Sequence, residues 1–517
     1  MLNFLIGIII IVLTSIIIIY AAACYNVGYW RRYGINGPIG KPFVGSLGEW
    51  WGGSSVFKLR EWTKQYGKVY GIQEGWRHVL IVSDIDMLQE LFVKKFEYFH
   101  GRKINPLVGN VDNESRVHVF NARGARWKRL RAVANPVFSV TNLKKIMPIL
   151  EDSVRVMMGF LDEAYEKGKS FNIHPYFHEL AMDIISRIAM GQQGSLQFRS
   201  KNAVVAKQVF ERFGKTWIDY YAWTLPFLAP LLIKFAKLTG KIRGEPMFNF
   251  LRTIEQEVKN RKKQKDAGVQ RNGENVDFID LFLEVEGEVD QDDGDKAFHR
   301  ASAKISKKLT IDEIVAQCFV FLLAGFDTTA NTLANTCFLL AHNSEAQQRL
   351  QQEIDDICPE GDPTYEQLNQ LKYAEATMKE ALRLHPIAAF ACSRTCSETT
   401  TLGNYTIEAG TLVQADVLTV QHDKEIWGEN ADEFRPERWL EESDTSHLMA
   451  WFPFGAGPRT CIGLRLAYME EKLALLHILR KYNIVRTTET EKELKMVGST
   501  ILNPESVTVK LELRSSS

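Results

Sequence analysis

The stretch "FGAGPRTCIG", Phe454 to Gly463, sets one cysteine among glycines, a proline and an arginine, just ahead of a helical pattern. Glycine and proline fix the path of a tight loop and let its backbone approach another group closely. Cysteine adds little to a turn, so Cys461 is either a small apolar filler or a thiolate ligand. The N–H groups at a helix start favour the thiolate. Zinc and iron–sulfur sites need several cysteines close by. The others, at positions 24, 318, 337, 358, 392 and 396, have no such spacing around it. Three further constellations could do chemistry. "WKRLR" places Trp127 and Arg131 four apart, hence on one helix face. Taken alone, they read as a core aromatic and a solvated charge. "AGFDTT", residues 324–329, puts Asp327 and Thr328 inside a long apolar helix, where polar groups are costly unless used. The local reading is a threonine bonding back to a carbonyl and an aspartate paired near by. "EALR" spaces Glu380 and Arg383 three apart, and "FRPERW" adds Arg438. An ordinary surface pair is the default there.

Phe454, Gly457, Arg459, Cys461 and Gly463 spell F-x-x-G-x-R-x-C-x-G, for which a chance match is on the order of 10⁻⁴ in a chain this long. On this loop the chain resembles the cytochrome P-450 family, and the resemblance runs from a proline-rich hinge to the terminal strand. It implies a mainly α fold with a small β region and a long central helix over haem b. Cys461 becomes the axial iron ligand, whose thiolate pushes electron density onto the metal and favours O–O cleavage. Trp127, Arg131, Arg394 and Arg459 become contacts to the haem propionates, within a loop shaped by Phe454, Gly457 and Gly463. Asp327 and Thr328 become the acid–alcohol pair that delivers protons to reduced dioxygen. Glu380, Arg383 and Arg438 become a buried network behind the haem, with Trp439 where the family often has Phe.

The implied activity is insertion of one oxygen atom from O2 into a lipophilic substrate: a xenobiotic, a steroid or a fatty acid. Electrons would come from NADPH through a reductase, with a cytochrome b-type protein as a further donor. Arg126, Lys128 and Arg129 are candidate contacts for an acidic reductase surface, a plain solvated face being the alternative. The motifs are most similar to animal microsomal members, nearest the broad-specificity drug- and steroid-oxidising branch and its nematode relatives. A peroxide isomerase and a non-catalytic haem carrier are the competing readings of the same fold. The intact Asp327–Thr328 pair argues against the first.

These residues need elements to hold them. Thr310 and Glu313 form a capping box, and apolar residues continue to about His342, roughly 50 Å of core helix. Helical patterns occupy 124–260, 344–385 and 462–482, and short strands are expected at "HVLIV", "LGNYTI", "TLVQADV" and "VTVKLEL". "RKKQKDAG" and "DQDDGDK" read as surface loops around the short apolar helix "DFIDLFLEV". The pocket is expected between residues 104–120, the aromatic stretch 217–232, Phe321, Ala324, 388–391 and Ile501.

Of 517 residues, 63 are Lys or Arg and 63 Asp or Glu, and this zero balance argues against a nucleic-acid binder. Phe4 to Ala22 is nearly all apolar, about 29 Å of helix and close to a bilayer core. Arg31 and Arg32 follow at once, so the body is expected on the cytoplasmic side. Ala21-Ala22-Ala23 also fits a signal cleavage site, but no basic residue precedes the span. The expected organisation is an anchor over 1–30 and a catalytic domain over 31–517, held at the endoplasmic reticulum membrane by a single pass.

Overall fold

In the computed structural model, which describes residues 2–212, 214–240, 242–269, 277–287, 308–441 and 449–514, helices carry most of these candidates. The apolar N-terminal segment is α1 (Leu2–Val27), and Trp127 and Arg131 lie on α2 (Gly124–Ala134). Helix α3 (His174–Met190) packs along α4 (Ile311–His342), the long helix of "AGFDTT". "EALR" lies on α5 (Lys372–Leu384), and α6 (Leu464–Lys481) follows the cysteine loop. The small β region is a four-stranded sheet of β1 (Val69–Glu74), β2 (Arg77–Val82), β3 (Ser393–Thr395) and β4 (Leu412–Ala415), in the order β1-β2-β4-β3. The β2–β4 pair is parallel and the other two are antiparallel. Terminal strand Thr508–Leu513 pairs with Tyr482–Val485 and Phe171–Asn172. The chain is therefore mainly helical with small sheets, as its periodicities imply.

Helix α4 is buried because its start is locked. The Thr310 hydroxyl accepts the Glu313 N–H, and the Glu313 carboxylate accepts the Thr310 N–H. That carboxylate also takes two bonds from Arg129, at 2.7 and 2.9 Å, and one from Arg126 at 3.1 Å. Burial raises its titration, but the Arg129 and Arg126 charges outweigh burial and hold it below the ordinary range. Arg126 and Arg129 thus tie α2 to α4. The expectation that they face outward to a reductase is corrected, because a buried carboxylate needs cations beside it.

Glu380 is wholly buried and accepts from Arg383 at 2.8 and 2.9 Å and from Arg438 at 2.8 Å. The Trp439 indole N–H donates to it at 2.9 Å, so the tryptophan joins the network. The Arg383 guanidinium spends its remaining donors on the carbonyls of Gln421, Ala431 and Glu433. This is an internal network and no surface pair.

"RKKQKDAG" is not a loop: helix Pro246–Asp266 runs through most of it. Arg261 is buried there, bonded to Asp277 at 2.6 Å and Asp280 at 2.8 Å, and Lys and Arg in a last turn suit the helix dipole. "DQDDGDK" lies outside the described residues. Helix α1 is long and apolar enough to cross a membrane and is not covered by the body. Its C-terminal end is attached to the sheet: the Gln73 amide donates to Asn26 O at 2.6 Å, and the Trp30 indole donates to Ile72 O at 2.8 Å. A Cβ on Gly71 would lie 2.1 Å from the Trp30 ring, so only glycine admits that contact.

Helix α6 contains an unbalanced pair. Glu470 and Glu471 are both buried; burial pushes the Glu470 carboxyl up to about 8, and burial with the Glu470 charge raises Glu471 further. Between about 4.5 and about 8 the unfolded chain releases a proton that folded Glu470 keeps, so its contribution to stability falls as pH rises through that window. Glu470→Gln should therefore raise Tm at pH 8 by about 2–4 °C, with the gain shrinking toward pH 5. Calorimetry at the two pH values checks this. An equal gain at both would mean that Glu470 does not carry the penalty.

Candidate active site

The cysteine loop is held by its own backbone. A tight turn over Gly457–Arg459 is closed by the Thr460 hydroxyl on Gly457 O at 2.7 Å, and the Cys461 N–H donates to Phe454 O at 2.8 Å. Gly457 has φ +67°, and a Cβ there would lie 1.9 Å from Phe92 O. No other residue fits. Phe454 packs edge-on against Tyr468 of α6 at 5.4 Å, and Gly463 is the residue from which α6 starts. The Gly463 and Leu464 N–H groups favour the Cys461 thiolate, as do Arg131 and Arg102, yet burial prevails and pushes the thiol up. The expectation that the helix start favours the thiolate thus holds locally and is outweighed overall. The sulfur's residue nevertheless has accessible surface. Both facts hold if Cys461 borders a space inside the body, where a bound cation would offset the burial penalty. Among the described residues no group of His, Cys, Asp or Glu could chelate an ion together. Cys461 would be a lone protein ligand, which suits an iron already held by a macrocycle.

Beside it lies a cluster of one sign. Arg459 is fully buried: its burial and the charges of Arg102, Arg394 and Arg131 drive its titration well down. Burial, with the Arg131 charge, takes Arg102 to about 10, and burial, with the Arg102 charge, takes Arg394, on β3, to about 9. Arg459 donates to Phe120 O at 3.3 Å and Ala122 O at 2.5 Å, and Arg102 donates to Arg459 O at 3.2 Å. The Nε of Arg102, Arg394 and Arg459 find no acceptor, and among the described residues none of the four guanidiniums pairs with a carboxylate. The Trp127 ring lies 4.7 Å from the Arg459 guanidinium. Trp127, Arg131, Arg394 and Arg459 are thus brought together, and they fit a ligand carrying carboxylates, as the haem propionates are. Arg102 is the member that sequence reasoning missed. It sits in a loop, where no periodicity marks it.

The middle of α4 has accessible surface at Ala324 and Thr328, although most of the helix is buried. The Thr328 hydroxyl donates to Ala324 O at 2.6 Å. Asp327 faces α3 instead: its Oδ1 lies 2.9 Å from His178 Nε2, and its Oδ2 is buried without a partner. Successive residues on a helix point about 100° apart, so the two side chains do not meet. Phe390 packs 5.8 Å from Phe120, and with Phe454 and Phe210 it lies against Leu382, Ile387 and Ile501 in an apolar cluster. Phe321 is no part of that wall. It turns into the core, 5.3 Å from Phe138 and 6.1 Å from Phe282. A cleft of about 240 Å³ lies between Arg77, Arg102, Ile104, Pro226 and Leu412, joining the 104–120 and 217–232 segments. Trp217, Tyr221, Phe227, Leu231 and Leu238 are exposed near by in sequence.

Comparison with known proteins agrees with this geometry. The family model described as Cytochrome P450 matches residues 35–511. Among curated proteins, cyp-13B1 of Caenorhabditis elegans is 44% identical over 499 residues, covering 94% of this chain and 95% of its own length. CYP13A5 and CYP13A4 of the same organism, both named as cytochromes P450, are 43% and 42% identical with the same shares covered. The nematode affinity expected from the motifs is borne out. On the match across nearly its whole length, the chain belongs to the cytochrome P450 family, and is a haem-dependent monooxygenase.

Proposed function

We propose that this protein is a membrane-anchored enzyme that holds haem b through Cys461 and oxidises a lipophilic substrate: a xenobiotic, a steroid or a fatty acid. The observation that carries the reading is a loop cysteine that keeps accessible surface while burial raises its thiol, beside four guanidiniums that pair with no carboxylate among the described residues. Haem supplies the iron at which dioxygen is reduced, one oxygen atom going to substrate and the other to water. The chain's residues do the rest. Arg102, Arg131, Arg394, Arg459 and Trp127 hold the propionates. Gly457 lets the loop close on Phe92, and Phe454 and Gly463 hold the Cys461 loop in the shape in which its sulfur would bind the iron. The accessible face of α4 at Ala324 lets a small ligand approach, and Phe120, Phe390 and Ile501 give the apolar wall that selects the substrate class.

Asp327 and Thr328 manage protons. Thr328 faces the internal space and can offer its hydroxyl proton there once released from Ala324 O. Asp327 must swing from His178 to recharge it. Electrons come from NADPH through a separate reductase, with a cytochrome b-type protein as a further donor. Residues 1–30 are the anchor and 31–517 the catalytic domain, on the cytoplasmic side of the endoplasmic reticulum membrane, in keeping with Arg31 and Arg32 after the apolar span.

Cys461→Ser should abolish the thiolate-specific Soret band of the reduced carbon monoxide complex, since a hydroxyl supplies no comparable charge. Normal intensity of that band would remove Cys461 as the ligand. Deleting residues 2–30 should release most of the protein from membranes with the haem spectrum intact, some binding persisting through Trp217 to Leu238. Secretion of the full chain cleaved after Ala23 would overturn the anchor. Thr328→Ala should keep haem and substrate binding while diverting reducing equivalents to hydrogen peroxide. Asp327→Asn should slow turnover by about 10²–10⁴-fold in the proton step. NADPH consumed against product and peroxide formed is the measurement. Unchanged coupling in the first with normal turnover in the second would make the pair structural.

A further inference from the structure

We infer that His178 is the residue through which solvent protons reach Asp327, an inference resting on the acid–alcohol reading above. His178 lies on α3, one turn after His174, and its Nε2 is 2.9 Å from Asp327 Oδ1. The two histidines are treated oppositely. His174 is sealed: its Nε2 is bonded to Asn331 at 2.7 Å, and Asn331 is bonded in turn to Asn503 at 2.7 Å. Burial, with the charges of His178 and Lys207, holds His174 neutral, with its titration driven down to about 3. His178 keeps 18% of its side chain accessible, against 4% for Asp327. It is the open end of a two-member chain.

A purely structural ion pair would have little to add here. Helices α3 and α4 already share a long apolar seam that includes Phe177, Leu180, Ile184 and Ile185. A half-bonded buried carboxylate is penalised, a penalty that Glu74 and Glu151 also carry. Asp327 Oδ2 has no partner. That leaves one oxygen engaged by a ring with accessible surface and the other unclaimed, on the helix whose next residue, Thr328, also keeps accessible surface. The charged and titratable groups around His178 are Asp327 on α4, His174 and Glu179 on α3, and Lys207 on helix Lys201–Arg212. The Phe326 ring lies 5.0 Å away and walls one side.

The step moves protons alone. A solvent proton adds at Nδ1 of the imidazole, the Nε2 proton passes to Asp327 Oδ1, and the ring is left neutral with its proton on Nδ1. Loss of the Nδ1 proton to solvent and uptake of one at Nε2, once the carboxyl has turned away, restore the starting tautomer. The neutral carboxyl no longer attracts the ring and is free to turn toward Thr328. His178 therefore both reloads Asp327 and releases it.

The test uses the full-length holoenzyme with any substrate it turns over. His178→Gln keeps a hydrogen-bond donor for Asp327 but cannot relay, and His178→Phe keeps the packing alone. Both should lower kcat roughly 10- to 100-fold with KM and the Soret band unchanged, thermal stability holding in His178→Gln and falling in His178→Phe, which leaves Asp327 unbonded. Both should also raise the solvent deuterium isotope effect on kcat, which a packing role would not move. Wild-type kcat and isotope effect in His178→Gln, with Asp327→Asn slow, would overturn this inference and leave the acid–alcohol pair standing. Normal turnover in Asp327→Asn would remove the pair and this inference with it. Independently of turnover, nitrogen-edited NMR of the diamagnetic reduced carbon monoxide complex should show a downfield His178 Nε2–H resonance that Asp327→Asn abolishes. Its persistence in that variant would also overturn the assignment.

Discussion

Four guanidiniums that meet inside the body without a carboxylate among the described residues set the terms for the rest of the structure. Like charges brought together in low dielectric repel, and each is held there at an expense that its carbonyl contacts only partly recover. They come from four separated places: Arg102 before α2, Arg131 on α2, Arg394 on β3, and Arg459 in the cysteine loop. An anionic group between them converts the repulsion into a junction of sheet, helix and loop. Any ligand that binds only the folded chain stabilises it by mass action, so a propionate-bearing cofactor belongs to the fold as much as to the chemistry.

The molecule's treatment of its other buried charges shows that this imbalance is selective. Glu380 has Arg383, Arg438 and Trp439. Glu313 has Arg126 and Arg129, and Lys103 has Glu74 at 2.7 Å and Gln414 at 2.6 Å. Each of these charges has an opposite charge beside it, although Arg129 Nε and one Glu74 oxygen are buried without a partner. Among the described residues, the arginine cluster has no opposite charge beside it, Asp327 has only His178, and the Glu470–Glu471 pair on α6 again has none. The first two lie beside Cys461 and on the helix of Thr328, and those are the places where a ligand or a moving proton would use the open valence. The third also meets α4, where the Thr332 side chain hydrogen-bonds Glu471, and it acts through stability.

What was legible in the sequence follows from what the signal encodes. The α4 cap, its length and the helix after Cys461 could be read because capping and period are local properties. The cysteine loop could be read because glycine, proline and cysteine at fixed offsets are rare together. Local logic also anticipated the resting state of "AGFDTT", a threonine bonded back to a carbonyl and an aspartate paired near by. It could not name His178, about 150 positions away, because pairing across a helix interface leaves no mark in either segment. Arg126 and Arg129 were misjudged for the same reason: a basic run looks solvated until a distant Glu313 is placed beneath it. "RKKQKDAG" failed differently, since charge pattern alone cannot separate a loop from the polar end of a long helix whose Arg261 is buried.

The placement of α1 against the body bears on how a substrate would arrive were α1 to cross a membrane. Helix α1 does not simply trail into the body. A file of aromatic rings runs from it: Tyr20 to Phe43 at 6.5 Å, Phe43 to Trp76 at 6.4 Å, and Trp76 to Phe227 at 6.0 Å. Phe227 belongs to the exposed apolar segment that includes Trp217, Tyr221, Leu231 and Leu238. Pro226, its neighbour, lines the cleft shared with Arg102. Aromatic side chains with one apolar and one polar end favour the interfacial layer of a bilayer. A membrane crossed by α1 would therefore meet the 217–238 surface on the same side of the body, with the cleft opening beside it. A substrate dissolved in the bilayer would then pass from lipid into an apolar passage without crossing water, the step that would oppose its entry most.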